Sequence, residues 1–201
     1  MKKVNFIFHT LGCKVNQYET QAIREHLTML GHTCDSTLAA DAIIINSCTV
    51  TAESDRKTRQ LLRRLRRENP DAIIVLTGCM VQAFPDIAEK LTQADIIVGN
   101  TDILKTVALI QKHIENPSRI VDIEMHESGE SYRTPSISTF SERTRVFMKI
   151  EDGCNRFCSY CIIPYARGRV RSRSLSNIKS EAQSLAKNGF KEIVLTGINL
   201  S

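Results

Sequence analysis

The stretch DAIIVLTGC, residues 71–79, decides the fold class. Its unbroken apolar run from Ala72 to Leu76 suits a strand buried on both faces, because a strand with one wet face would alternate. ADAIIINSC (40–48) repeats the pattern one unit earlier: a buried run, two small polar residues, then a cysteine. VNFIF (4–8) and ADIIVG (94–99) read as two more strands. Between the strands, helices are expected over about 16–30, 52–67, 85–91 and 102–113, the second with Leu61, Leu62 and Leu65 as its apolar stripe. Continuous apolar strands alternating with helices predict an α/β fold in three layers, a parallel sheet covered on both faces.

This reading gives Cys13, Cys48 and Cys79 a shared address, each just past the C-terminal end of one of the first three strands. Ligand sites of open parallel sheets gather along that edge. One cysteine there is commonly no more than a small buried apolar side chain. Three at matching positions, two of them directly after a glycine (Gly12 and Gly78), read as a site. Cys34 falls outside the pattern and takes the structural role.

The chain then changes character. Residues 116–142 are rich in Ser, Thr, Pro and Gly, and read as a linker between a first domain (1–115) and a second (143–201). In the second, RVFMKI (145–150), a helix over about 174–188 and KEIVLTG (191–197) make a strand, a helix and a parallel strand. That is the opening of an α/β barrel or open sheet, too little to bury its own sheet, so the chain is expected to be the N-terminal piece of a longer enzyme. The loop after the first of these strands holds CNRFCSYC (154–161), three more cysteines.

No apolar run reaches membrane-spanning length, and the opening MKKVNFIFHTLGC does not read as an export signal, so a reducing, cytoplasmic setting is expected. Seven cysteines, an odd number, then argue against a disulfide framework. Structural zinc prefers four protein ligands. The 154/158/161 group offers three, with His126 as a distant fourth, while His9 or Cys34 keeps zinc open for the first trio. A four-iron cluster held by three thiolates keeps one iron free for a substrate or cofactor, and both trios fit that arithmetic. The net charge is +5, from 27 basic and 22 acidic residues. It concentrates in two runs without an acid, 56–67 and 167–179, which point to a polyanion such as RNA.

The stretch EDGCNRFCSYCIIPYARGRVRSRS (151–174) closely resembles the radical S-adenosylmethionine methylthiotransferases, and TLGCKVNQYE (10–19), INSCTVTAESDRKTRQ (45–60) and TGCMVQ (77–82) extend the resemblance over both domains. Met80 and Val81 depart from the family's usual small residue ahead of the glutamine. TLGCKVNQYE looks like the branch that modifies threonylcarbamoyladenosine in tRNA. The alternatives are the branches for isopentenyl-adenosine and for a ribosomal-protein aspartate, and, outside the family, a non-catalytic zinc-containing RNA-binding module.

The resemblance implies a radical S-adenosylmethionine core, the start of a partial (β/α) barrel, and two [4Fe–4S] clusters. Cys154, Cys158 and Cys161 would hold the cluster that binds S-adenosylmethionine, with Tyr160 and Arg167 beside the cofactor. Cys13, Cys48 and Cys79 would hold an auxiliary cluster. The implied reaction is radical insertion of sulfur at C2 of the adenosine 3′ of the anticodon, followed by methylation. It needs tRNA, an electron donor and a sulfur donor, and no membrane. The alternating arginines of ARGRVRSR (166–173) are expected to be extended, with Arg169, Arg171 and Arg173 candidates for tRNA contact, as are Arg63 and Arg67. Asn16 and Gln17 are expected to hydrogen-bond the loop of Cys13.

Overall fold

The computed structural model describes residues 3–140 and 145–200. The expected end of the linker at 142 and start of the second domain at 143 lie outside the described residues. Five parallel strands form the first sheet in chain order: β1 (Phe6–Thr10), β2 (Ala42–Ser47), β3 (Ile73–Gly78), β4 (Ile96–Val98) and β5 (Ile120–Asp122). Helices α1 (Lys14–Met29) and α5 (Ile103–Glu115) pack on one face, through Tyr18, Ala22, Val107 and Ile110 against Phe6, Ile44 and Val75. On the other face, α2 (Ala52–Glu68) sets Leu62 and Leu65 against Ile43, Ile45 and Ile74. The three layers follow the sequence pattern closely.

Two segments differ from expectation. The helix expected over 85–91 is only the short α4 (Pro85–Ala88), and a second short helix, α3 (Cys79–Ala83), precedes it. Pro85 disfavours helical geometry in the residue before it, and Phe84 accordingly lies at φ −134 between the two helices. The stretch expected as linker supplies β5, which pairs with β4 from Ile96↔Ile120 to Val98↔Asp122. Farther on it lies against α1: Ile137 is buried, and Glu25 accepts the backbone N–H groups of Ser138 at 2.8 Å and Thr139 at 2.7 Å.

Past this strap, β6 (Arg145–Lys149) and β9 (Glu192–Thr196) pair in parallel, with α7 (Leu175–Lys187) between them in sequence. A two-residue antiparallel clasp, β7 (Glu151–Asp152) with β8 (Arg171–Ser172), closes the loop between, and α6 (Ile163–Arg167) lies inside that loop. Among the described residues no helix is long and apolar enough to cross a membrane.

Helix α1 is buried from both sides. Its apolar residues share one core with Val146, Met148 and Leu185 of the second unit. Its polar residues Asn16, Glu19, Thr20 and Gln21 are buried too. Glu19 receives Lys149 Nζ at 2.7 Å and Arg167 Nη1 at 2.7 Å, and Asp152 accepts the same lysine at 2.6 Å. Tyr18 Oη donates towards Glu181 of α7, which also pairs with Arg173. Burial alone would raise the carboxyls of Glu19 and Asp152, but Arg167 and Lys149 outweigh it and hold both below the usual carboxylate range.

The two carboxylates therefore contribute stability that is present above the ordinary carboxylate pKa of about 4 and is lost only as pH falls through their lowered values. Lys149→Met leaves two buried carboxylates short of a partner and is expected to cost about 3–5 kcal/mol. Its acid-unfolding midpoint, followed by circular dichroism, should move to higher pH than that of the parent. Glu25→Ala removes the acceptor of the strap amides. Hydrogen exchange at residues 138 and 139 should then accelerate by an amount equivalent to about 1.5–3 kcal/mol, with β2 and β3 amides still protected.

Candidate metal centres

The first site forms where three strands end side by side. Cys13 follows β1 and caps the N-terminus of α1, Cys48 follows β2 directly, and Cys79 follows β3 as the first residue of α3. Gly12 lets the first loop approach the second: at φ +103, a Cβ there would stand 2.9 Å from Cys48 Sγ. Asn16 Nδ2 donates to Ser47 O at 2.8 Å and Asn46 Nδ2 to Asn16 O at 3.0 Å, tying the first loop to the second. Ser47 Oγ donates to Thr77 O at 2.6 Å and receives Met80 N at 3.2 Å, tying the second to the third.

All three thiols are free and line one cavity of about 560 Å³. Cys48 and Cys79 are buried and Cys13 is exposed. The expected contact from Asn16 is present, its Oδ1 accepting the Cys13 thiol at 3.5 Å, whereas Gln17 Oε1 is a buried oxygen without a partner on the same wall. Burial pushes the Cys79 thiol up to about 12, with Arg167 opposing and Glu19, Cys48 and Cys13 adding to the rise.

Neither His9 nor Cys34 lines this cavity, so among the described residues no fourth cysteine or histidine stands on its wall. Cys34 is half-buried, and its sulfur accepts from Thr28 Oγ1 at 3.7 Å. Among the described residues, no three His, Cys, Asp or Glu side chains converge tightly enough to hold a single metal ion. Single-ion zinc needs that closeness. A four-iron cluster binds each thiolate to a different iron, so its ligands stand farther apart, and a cavity of this size whose described cysteine and histidine side chains are three thiols fits it.

The second trio occupies the loop between β7 and α6. Gly153 opens it at φ +81, where a Cβ would meet Arg169 O at 2.1 Å, so only glycine passes there. Cys154 N donates to Gly168 O at 3.1 Å, and Cys161 N to Cys158 O at 2.9 Å, which curls the loop. Cys154 and Cys161 are half-buried and Cys158 is exposed. His126 is spoken for: its Nδ1 lies 2.5 Å from Glu130 Oε1 and its Nε2 3.1 Å from Asn100 Oδ1. The second trio therefore also lacks that fourth ligand. Tyr160 stands 90% exposed on the same loop.

The arginine run is not the extended ribbon that its alternation suggests. Arg167 ends α6, and only Arg171–Ser172 forms a strand. Arg169 alone of the four is exposed, its guanidinium 5.1 Å from the Phe157 ring centroid. Arg171 pairs with Glu130 at 2.5 Å and Asp152 at 3.5 Å, and Arg173 pairs with Glu181 and donates to Ser136 Oγ at 2.7 Å. Both side chains are buried, so Arg171 and Arg173 are structural anchors and not free contacts for RNA. Their acidic partners sit in the strap, the clasp and α7, out of reach of a local sequence reading.

Arg167, expected beside the second trio's cofactor, lines the wall of the first cavity. Arg63 and Arg67, the other candidates for tRNA contact, are exposed on α2. Lys149, Asp152 and Glu19 escaped notice as a unit. The available signal was a lysine inside the otherwise apolar strand VFMKI.

Residues 5–99 match the model of a family described as uncharacterized protein family UPF0004, and residues 148–199 match the radical SAM superfamily. The chain is 43% identical over 193 residues to threonylcarbamoyladenosine tRNA methylthiotransferase MtaB of Bacillus subtilis, covering 96% of this chain and 43% of that protein. The same-named protein of Aquifex aeolicus is 40% identical, with 96% and 48% covered. The tRNA-2-methylthio-N(6)-dimethylallyladenosine synthase of Finegoldia magna is 39% identical, with 96% and 42% covered. The chain thus spans about half the length of these relatives. The UPF0004 match takes in the first cysteine site and the radical SAM superfamily match the second, and over nearly all its length the chain is similar to proteins named tRNA methylthiotransferases.

Proposed function

We propose that this chain carries the cofactor-binding half of a tRNA methylthiotransferase that inserts sulfur at C2 of N6-threonylcarbamoyladenosine, 3′ of the anticodon, and then methylates it. What supports this reading is that Cys13, Cys48 and Cys79 line one cavity with no other cysteine or histidine among its described lining residues, while Cys154, Cys158 and Cys161 share one short loop. Cys154, Cys158 and Cys161 would hold a [4Fe–4S] cluster with S-adenosylmethionine, and Cys13, Cys48 and Cys79 a second cluster. When bound, the two groups supply one-electron cleavage of S-adenosylmethionine and a site for the sulfur to be inserted.

The protein's own work is binding and orientation. Gly12, Asn16 and Ser47 hold three thiols of the first site on one cavity wall, and the clasp at 151–152 and 171–172 holds the second loop closed. Tyr160 would flank S-adenosylmethionine. Arg63, Arg67 and Arg169 remain candidates for the RNA backbone, since their side chains face solvent. An electron donor and a sulfur donor are required, and a reducing cytoplasm suits seven free cysteines.

The threonylcarbamoyladenosine branch is favoured by TLGCKVNQYE and by the names of the Bacillus and Aquifex relatives. The name of the Finegoldia relative keeps dimethylallyladenosine as the second reading.

Anaerobic reconstitution should give about eight irons and eight labile sulfides per chain, falling to about four of each in the Cys154→Ala, Cys158→Ala, Cys161→Ala variant. A colourless protein with stoichiometric zinc would sink the cluster reading. Mass spectrometry of tRNA nucleosides from cells lacking the gene should reveal loss of the methylthio derivative of threonylcarbamoyladenosine. Loss of the dimethylallyl derivative instead would move the assignment to the other branch.

A further inference from the structure

Arg167 belongs to the second unit by sequence and to the first cysteine site by position. It ends α6, which begins two residues after Cys161, and its side chain is 1% exposed. It lines the cavity of Cys13, Cys48 and Cys79. Its Nη2 donates at 2.8 Å to Asn16 Oδ1, the oxygen that also accepts the Cys13 thiol at 3.5 Å. Its Nη1 lies 2.7 Å from Glu19 Oε1, and Nη2 lies 3.1 Å from Glu19 Oε2. A permanent positive charge therefore stands one shared oxygen away from a ligand sulfur, with a carboxylate behind it. A guanidinium does not deprotonate in a protein, and buried charges are little screened by salt.

We propose that Arg167 is a positioning residue of the first cysteine site, which orients Cys13 through Asn16 and, with Glu19 as opposing charge, sets the reduction potential of the cluster held there. The inference rests on the iron–sulfur reading of that site. Reduction adds one negative charge to the cluster, supplied by the external donor. A neighbouring cation stabilises the reduced form and raises the potential, whereas a neighbouring carboxylate lowers it; net charge and hydrogen bonds near the sulfurs are recognised settings of such potentials. Helix α6 also fixes this charge to the end of the second cysteine loop, so the two sites share one rigid connection.

The test is a potentiometric titration followed by electron paramagnetic resonance, on the reconstituted chain carrying the triple alanine change at 154, 158 and 161, so that only the first centre contributes. Arg167→Gln should lower the midpoint by an amount equivalent to about tenfold in the reduction equilibrium, about 59 mV for one electron. Glu19→Gln should raise it, and Arg167→Lys should stay near the parent. Loss of fold cannot produce opposite shifts from the two glutamine variants, which keeps the result interpretable. Iron-loaded variants whose midpoints do not move, or move in the same direction, would overturn the role of Arg167 alone. A parent that takes up no iron at this site would overturn the cluster reading and this inference with it.

Discussion

Glu19 sits on a helix that two sheets share, and its carboxylate accepts from a lysine and an arginine supplied by residues far along the chain. An unpaired carboxylate in that position would have to be neutralised or exposed, because burying an isolated charge costs several kcal/mol. Lys149, Asp152 and Arg167 are buried with Glu19 and pair with one another and with it, while Asn16, Thr134, Gly153 and Arg171 supply their further partners. The apolar residues of α1 pack in one core with both the first sheet and the second unit, and its buried polar residues add the directional contacts. The relative placement of the two cysteine sites follows from that ionic contact, since Arg167 lies between them.

The sites themselves are backbone constructions. At the first, three loops leave adjacent parallel strands and are drawn together by side chains of Asn16, Asn46 and Ser47. At the second, a two-residue clasp closes the loop, with Gly153 passing under Arg169 O. Neither arrangement forces three sulfurs onto a point. Among the described residues no three such side chains come close enough to hold a single ion.

The three-layer sheet was legible from the sequence because Ile43 to Ile45 and Ile73 to Leu76 are apolar without interruption, and the address of Cys13, Cys48 and Cys79 followed from it. The fifth strand was not. Ile120 and Val121 are too few to make a pattern, and β4 recruits them by edge pairing. The arginine run misled because alternation says which residues face opposite ways only in an extended chain, whereas Gly168 at φ +70 breaks the run after Arg167. Arg171 and Arg173 looked free because Glu130 and Glu181, which neutralise them, are separated from them by 41 and 8 positions and lie in other elements.

The double burial of α1 bears on the order in which the chain matures on the ribosome. Glu19 and Lys149 are 130 positions apart. At about 5–20 residues per second, roughly 6–26 seconds separate their synthesis. For that interval the first sheet can close over one side of α1 while the other side, with its acidic residue, still faces water. Charge there keeps a nascent surface hydrated where an apolar one would invite association.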